Sequence, residues 1–129
     1  MKTILVVDDE LANAEVLAII LEEEGYRVFC ASNGRHGLQR AAEVRPHLIV
    51  LDFMMPIMDG AEMARALRDS APTRDIPIVM NSSLHEEAVR EHFADYDYFL
   101  RKPYDIGEAL EAIARLLKDK PRDERLHID

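Results

Sequence analysis

Short apolar runs alternate with longer amphipathic segments along this chain, and this alternation most limits how it can fold. The runs at residues 4–7, 48–51 and 76–80 are almost continuously apolar, which is typical of strands buried on both faces of a parallel sheet. Weaker runs at residues 27–31 and 98–100 are predicted to form edge or near-edge strands. Five buried or half-buried strands, each followed by a helical segment, predict an α/β fold of the (βα)5 type.

The helical segments between these strands are marked by their boundary residues. Asp59, Ser83 and Asp105 each precede a glutamate by three positions, a spacing typical of capping boxes at helix starts. Gly25 stands where the first helix must end in a left-handed conformation. The predicted helices cover residues 11–24, 34–44, 61–69, 84–94 and 106–118.

Length and charge limit the classes of function. A chain of 129 residues has room for one domain, which we place at residues 1–118, followed by a mixed-charge tail at residues 119–129. The single cysteine, Cys30, favours a reducing, cytoplasmic setting, and no apolar run is long enough to insert into a membrane. With 25 acidic and 16 basic residues the net charge is −9, which disfavours direct binding to nucleic acid.

Polar residues follow the apolar runs, at the edge of an open parallel sheet where ligands bind. Asp8 and Asp9 follow the first run, Asp52 follows the third, and Asn81, Ser82 and Ser83 follow the fourth. Arg101 and Lys102 follow the fifth. The carboxylates would repel one another, so a proton, a cation or the lysine must offset their charge. An all-oxygen ligand set favours a hard cation, and Mg²⁺ is the predicted cofactor.

Four segments in this order and spacing resemble the receiver domain of two-component response regulators, and the likeness covers about residues 2–118. The segments are ILVVDDE (4–10), LIVLDFMMPIMDG (48–60), IPIVMNS (76–82) and FLRKP (99–103). The resemblance implies a flavodoxin-like, doubly wound sheet with strand order 2-1-3-4-5. It also implies a signalling phosphoacceptor, not an enzyme, like the single-domain chemotaxis regulators.

The resemblance also implies a role for each site residue. Asp52 is expected to be the phosphoacceptor, and Asp9, Asp52 and the backbone carbonyl of Met54 are expected to bind Mg²⁺, with Asp8 assisting. Lys102 is expected to contact the phosphoryl oxygens, and Ser82 to close on them once Asp52 is modified. Two further positions follow by the same likeness. The bond before Pro103 is expected to be cis, and Phe99 aligns with the family's switch aromatic, although it could equally be an ordinary core residue.

Other positions have simpler interpretations or depart from the family pattern. Ser83 is assigned to a helix cap, and Asp9 alone could also be a cap. Ser82 and Lys102 are twenty positions apart, about two fewer than expected, which predicts a shortened fourth helix or exit. Met54 and Leu84 occupy variable positions beside the acceptor, and if both shield it the acyl phosphate should hydrolyse slowly.

The predicted function is Mg²⁺-dependent transfer of a phosphoryl group from a sensor histidine kinase or histidine phosphotransfer protein to Asp52. This would switch a surface of helix 4, strand 5 and helix 5 that docks a downstream protein. One alternative is a pseudo-receiver that binds partners without phosphorylation. Another is a phosphohydrolase of the haloacid dehalogenase type, although that class has an Asp-x-Asp motif after its first strand. The sequence identifies neither kinase nor target, and the chain is either a single-domain regulator or part of a longer protein.

Overall fold

The predicted alternation of strands and helices is present in the computed structural model, which describes residues 1–118. The strands are β1 (Thr3–Val7), β2 (Arg27–Ala31), β3 (Leu48–Asp52), β4 (Ile78–Ser82) and β5 (Tyr98–Arg101). The helices are α1 (Leu11–Glu23), α2 (Gly34–Val44), α3 (Gly60–Asp69), α4 (Glu86–Arg90) and α5 (Ile106–Leu116). The predicted tail, residues 119–129, lies outside the described residues.

The strands form one parallel sheet in the order β2-β1-β3-β4-β5, which confirms the predicted fold. β1 lies between β2 and β3, so the strand order reverses beside it. The register pairs Val7 of β1 with Leu51 of β3, and Asp52 with Asn81 of β4. The carboxyl ends of β1, β3 and β4 therefore lie side by side, at the position where sheets of this kind bind ligands.

A hydrophobic core covers each face of the sheet. On one face, residues of α2, α3 and α4 such as Ala41, Met63 and Val89 pack against the strands. On the other face, α1 and α5 contribute residues such as Leu21 and Ile113. Every residue of β3 and β4 is buried, which confirms that these central strands are covered on both sides. These two layers fix the strand ends that carry the polar residues.

The fourth strand is displaced from its predicted position by two residues at each end. Pro77 has no backbone N–H to donate, and the ladder begins at Ile78. At the other end, Asn81 pairs with Leu100 and Ser82 with Arg101 of β5, so both polar residues belong to the strand. The prediction treated them as loop residues because it ended the strand where the apolar run ends.

The fourth helix was predicted at residues 84–94, but α4 comprises only the five residues Glu86–Arg90. Its N-cap residue is His85, and no side chain caps it, so the assignment of Ser83 to a helix cap is wrong. Past the helix, Phe93 packs into the core, and few residues remain before β5. The predicted shortening therefore falls on the helix itself.

Other boundary predictions are confirmed. Gly25 follows α1 with φ of +98°, the left-handed conformation expected of it. Asp59 and Glu62 form a reciprocal capping box at the start of α3, and Asp105 caps α5 by accepting the N–H of Glu108. Within residues 1–118, none of the helices is both long and apolar enough to cross a membrane.

Candidate functional site

Three carboxylates meet at the reversal of strand order. Asp8 and Asp9 directly follow β1, Asp52 is the last residue of β3, and one oxygen of each lies within 4.8 Å of the others. Asp52 is 5% exposed and Asp8 is 7% exposed, whereas Asp9 is open to solvent. The sheet therefore presents two buried carboxylates and one accessible carboxylate to the same small volume.

The first helix does not use Asp9 as its cap. The N-cap residue of α1 is Glu10, whose backbone N–H donates to Oδ1 of Asp8 at 2.9 Å. This bond holds the Asp8 side chain and leaves its other oxygen, Oδ2, facing the site. The simpler interpretation of Asp9 as a helix cap is therefore wrong.

Lys102 supplies the positive charge opposite this cluster. Its Nζ lies 3.4 Å from Oδ1 of Asp52 and 3.7 Å from Oδ2 of Asp8. Its backbone N–H donates to the carbonyl of Ser82 at 2.8 Å, which attaches the end of β5 to the end of β4. The peptide bond between Lys102 and Pro103 is cis.

The charges of the site are not balanced, because three carboxylates face one ammonium. Burial raises the pKa of Asp52 to about 6, since the charged form loses hydration; Lys102 opposes the increase, and Asp8 and Asp9 add to it. For Lys102, burial acts to lower the pKa, but the carboxylates of Asp52 and Asp8 prevail and raise it. The lysine therefore stays charged, while Asp52 is a carboxylate whose negative charge is only partly compensated.

The loop after β3 is held against the end of that strand by Gly60. The N–H of Gly60 donates to the carbonyl of Phe53 at 2.8 Å. A Cβ at Gly60 would lie 2.5 Å from the backbone oxygen of Asp52, closer than real Cβ atoms approach. Ile57 in the same loop adopts φ of +70°, an unfavourable conformation for a β-branched residue. The backbone beside Asp52 is therefore tightly constrained.

The remaining predicted residues surround this centre. Ser82 is buried at the end of β4, and its Oγ accepts the N–H of Leu84 at 3.1 Å. Met54 and Leu84 are both exposed, on the loops that follow β3 and β4. Phe99 is half-buried against the core and lies 5.9 Å from the ring of Tyr96, centroid to centroid. That packing fits the simpler interpretation of Phe99 as a core residue.

The donor set fits Mg²⁺. All three converging groups are carboxylates, and hard cations such as Mg²⁺ bind oxygen ligands. Within the described part of the chain this is the one cluster of three or more histidine, cysteine or acidic side chains close enough to share an ion. Asp8, Asp9 and Asp52 are therefore the residues that can hold a divalent cation.

Two residues beside the site received no role from the sequence. Asn81 is buried next to Asp52 on the neighbouring strand, and its Oδ1 has no hydrogen-bond partner within residues 1–118. The sequence feature that could have identified Asn81 is its position as a polar residue near the end of an otherwise apolar strand. Gly60 is the point where the loop after β3 contacts Asp52.

These features define a class of protein. The family model of the response regulator receiver domain matches residues 4–114, and the chain belongs to this family. Receiver domains are signalling phosphoacceptors of two-component systems, and the chain's relatives are regulators. The resemblance inferred from the sequence is therefore confirmed.

Two curated relatives give the degree of similarity. The DNA-binding dual master transcriptional regulator RpaA of Synechocystis is 35% identical over 124 residues, which are 95% of this chain and 52% of that protein. The response regulator ArlR of Staphylococcus saprophyticus is 33% identical over 128 residues, 99% of this chain and 58% of that protein. The chain thus spans little more than half the length of these relatives.

Solved structures share the fold, and two of them contain magnesium. The response regulator TrrA of Thermotoga maritima, in complex with Mg²⁺ and BeF, matches with a TM-score of 0.82 and 31% identity over 90% of this chain and 99% of that one. The receiver domain of a sensor histidine kinase from Pseudomonas aeruginosa, with magnesium in its active-site cleft, matches with a TM-score of 0.84 and 27% identity. This second match covers 92% of this chain and 98% of that one.

Proposed function

We propose that Asp52 accepts a phosphoryl group from a phosphohistidine of a sensor histidine kinase or a histidine phosphotransfer protein. The observation that carries the proposal is the position of Asp52 at the reversal of strand order, within reach of two further carboxylates and of Lys102. A buried carboxylate there is accessible only from the open edge of the sheet. A phosphoryl donor would therefore approach along one direction.

The transfer is a displacement at phosphorus. A carboxylate oxygen of Asp52 forms a new O–P bond while the P–N bond of the phosphohistidine breaks, and the imidazole leaves with the bonding electron pair. Asp52 must be ionised to attack, and its pKa of about 6 leaves most of it ionised at neutral pH. Lys102 lies 3.4 Å from this carboxylate and would contact an oxygen of the transferred group.

Asp8, Asp9 and Asp52, together with the backbone carbonyl of Met54, would hold Mg²⁺. When bound, Mg²⁺ supplies positive charge that neutralises the phosphoryl oxygens during transfer. The carboxylates that repel one another without a cation become its ligands. The unbalanced charge of the site is therefore the property that makes it suitable for a cation and a phosphoryl group together.

Phosphorylation would act on Ser82 and Lys102. The Ser82 hydroxyl accepts the N–H of Leu84 in this structure, and its own O–H is a separate donor that would turn toward a phosphoryl oxygen. The two residues are already joined, because the backbone N–H of Lys102 donates to the carbonyl of Ser82. Driving such a switch from 1:99 to 99:1 takes about 5.5 kcal/mol of differential stabilisation, which a few charge-assisted hydrogen bonds can supply.

The output surface proposed for this switch consists of α4, β5 and α5, and its partner is a downstream protein. Phe99 lies on β5, and a movement of Ser82 would be transmitted to this strand through the β4–β5 pairing. The acidic charge of −9 disfavours direct binding to nucleic acid by this chain. We place the reaction in the cytoplasm, where such kinases expose their phosphohistidine.

The test is phosphorylation by acetyl phosphate with Mg²⁺, read by intact mass. Unmodified protein should gain one phosphoryl group, and Asp52→Asn should gain none. Asp69→Asn is the matched control, because Asp69 is an exposed carboxylate at the far end of α3. Label that persists in Asp52→Asn would show that Asp52 is not the phosphoacceptor. A protein that never gains the label yet binds a partner would instead be a phosphorylation-independent interaction module.

A further inference from the structure

A tyrosine hydroxyl connects the fourth helix to the chain that leads into β5. Tyr96, between α4 and β5, donates from its hydroxyl to Oε2 of Glu86, the first residue of α4. Burial and this bond raise the pKa of Tyr96, and Arg90 at the other end of α4 opposes the increase. The ring of Tyr96 is half-buried against the core, 5.9 Å from the ring of Phe99, centroid to centroid. Tyr96 therefore joins α4 to the strand beside it.

The backbone on both sides of Tyr96 is held in place. Arg68 donates to the carbonyl of Asp95 at 3.0 Å and to the carboxylate of Asp97 at 3.1 Å. The N–H of Asp97 donates to the carbonyl of Ile78 at 2.8 Å, and its carboxylate accepts the N–H of Ile78 at 2.8 Å. Tyr96 is thus attached to α3 and β4 through its neighbours, and it is the fixed end of its bond to α4.

Glu86 is on the more weakly held element. α4 has five residues, no side chain caps its start, and Val89 is its one buried residue. The chain enters α4 from Ser82, whose hydroxyl accepts the N–H of Leu84. A movement of Ser82 toward a phosphoryl group would therefore displace the start of α4 and lengthen the bond from Glu86 to the tyrosine.

We propose that the hydrogen bond between Tyr96 and Glu86 is an autoinhibitory contact, which holds α4 in the position of the unmodified protein and opposes the switch of the output surface. This proposal rests on the proposed function. A contact that is made in only one of two states shifts the equilibrium toward that state. Loss of one hydrogen bond to a charged group should therefore favour the switched state about threefold.

A second tyrosine provides the matched control. Tyr98 of β5 donates to Oε2 of Glu108 in α5 at 2.8 Å, so it also joins this strand to a helix through a bond to a glutamate. Its ring packs on the opposite face of the sheet, with the core residues of α1 and α5. α5 has eleven residues and is capped by the side chain of Asp105. Tyr98→Phe thus removes a similar bond without releasing α4.

Beryllofluoride with Mg²⁺ is the probe, because it binds carboxylates as an analogue of a phosphoryl group. Its dissociation constant is measured by NMR titration of the ¹⁵N-labelled full chain. Tyr96→Phe should tighten binding about threefold, because the probe no longer has to displace α4 against the bond. Tyr98→Phe should leave the dissociation constant unchanged. Unchanged or weaker binding by Tyr96→Phe, or equal tightening in Tyr98→Phe, would overturn the autoinhibitory role.

The glutamate allows an independent test. Glu86→Ala should tighten beryllofluoride binding as Tyr96→Phe does, and the double variant should bind no more tightly than either single variant. Glu87→Ala is the control, since Glu87 is an exposed glutamate in the same turn of α4 to which Tyr96 does not bond. Additive effects of the two substitutions would show that Tyr96 and Glu86 act separately and would contradict the proposal.

Failure of this proposal is distinguishable from failure of the proposed function. Labelling of Asp52 by acetyl phosphate, with the same beryllofluoride affinity in all variants, would overturn the autoinhibitory role alone. Unmodified protein that neither takes the label nor binds beryllofluoride would overturn the proposed function and this role with it. Urea denaturation tests the bond without either reagent. Tyr96→Phe and Glu86→Ala should each lower the folding equilibrium constant about threefold and together little more, whereas additive losses would overturn the bond.

Discussion

The polar groups at the two edges of the sheet differ in how far their charges and hydrogen bonds are paired. At the amino-terminal edge, a single cation is surrounded by acceptors, and its charge and donors are used. At the carboxyl-terminal edge, three carboxylates face one lysine, and a buried amide oxygen has no donor among residues 1–118. The same fold thus contains a saturated polar network and an unsaturated one.

Arg68 of α3 is the centre of the saturated network. Its guanidinium donates to the backbone carbonyls of Arg74, Ile76 and Asp95, and it pairs with the carboxylates of Asp95 and Asp97 at 3.3 and 3.1 Å. The side chain of Arg68 is only 15% exposed. This network attaches the end of α3 to the starts of β4 and β5, and all three guanidinium nitrogens donate within it.

The two networks differ in what a bound molecule would do to the free energy of the folded state. A satisfied network lowers the free energy of the folded state and has little to gain from a further molecule. An unsatisfied network raises that free energy until a cation, a proton or a phosphoryl group is bound. Variants at the two edges should therefore change stability in opposite directions.

The largest change in the free energy of unfolding is expected for a substitution at the amino-terminal edge. Arg68→Ala should lower the free energy of unfolding by about 3 kcal/mol, because several acceptors lose a charged donor at once. Urea denaturation measures this change. Arg35→Ala is the control, since Arg35 is an exposed arginine of α2, and it should change stability by less than about 0.5 kcal/mol. A similar small change in Arg68→Ala would remove the contrast between the edges.

At the carboxyl-terminal edge, Asp52→Asn should raise the free energy of unfolding by about 2 kcal/mol at pH 7 without Mg²⁺. The ionised carboxylate is destabilising there, as its raised pKa shows, and the amide keeps its shape without its charge. Denaturation in EDTA tests this, with Asp69→Asn as the control. A loss of stability would show that the Asp52–Lys102 pair outweighs burial.

The stabilisation produced by Asp52→Asn should increase as the pH rises. The pKa of Asp52 is about 6 in the folded state, above its ordinary 3.8, so the native protein holds the proton more tightly than the unfolded chain. Ionisation between these values therefore lowers stability as the pH rises. The advantage of Asp52→Asn should be greatest above roughly pH 6 and should vanish by about pH 4. An advantage that is constant over this range would contradict the shift.

The smallest effect concerns the lifetime of the phosphorylated state and rests on the proposed function. Met54 and Leu84 are apolar side chains on the two loops beside Asp52. Met54→Asn should increase the rate of phosphate loss about fivefold, a barrier change of about 1 kcal/mol, by admitting water. Ile57→Asn, also exposed in the loop after β3, should leave the rate unchanged. Equal rates in all three proteins would count against shielding.

Sequence reasoning succeeded where neighbouring residues carry the information. The continuous apolar runs predicted β1 and β3 nearly to the residue, and the acids that follow them predicted a carboxylate cluster that the structure contains. It failed where the information is distant in sequence. Arg68 contacts residues 27 and 29 positions away, and no local sequence pattern predicts that network.

The errors around the fourth helix have a similar origin. The spacing of Ser83 and Glu86 has the form of a capping box, but the helix begins three residues after Ser83. The constraint that shortens it is the distance still to be covered to β5, together with the burial of Phe93. Both depend on tertiary packing, which local cap and periodicity rules do not include.

The length of α4 has a further consequence, for how quickly its backbone opens. A helix of five residues has little more than one turn and is about 7.5 Å long, so few of its N–H groups bond within the helix. Helices this short are stabilised by their packing and not by their own backbone. The amides of α4 should exchange with solvent well before those of α3 or α5, so local unfolding of this segment is a low-energy motion available to the proposed output surface.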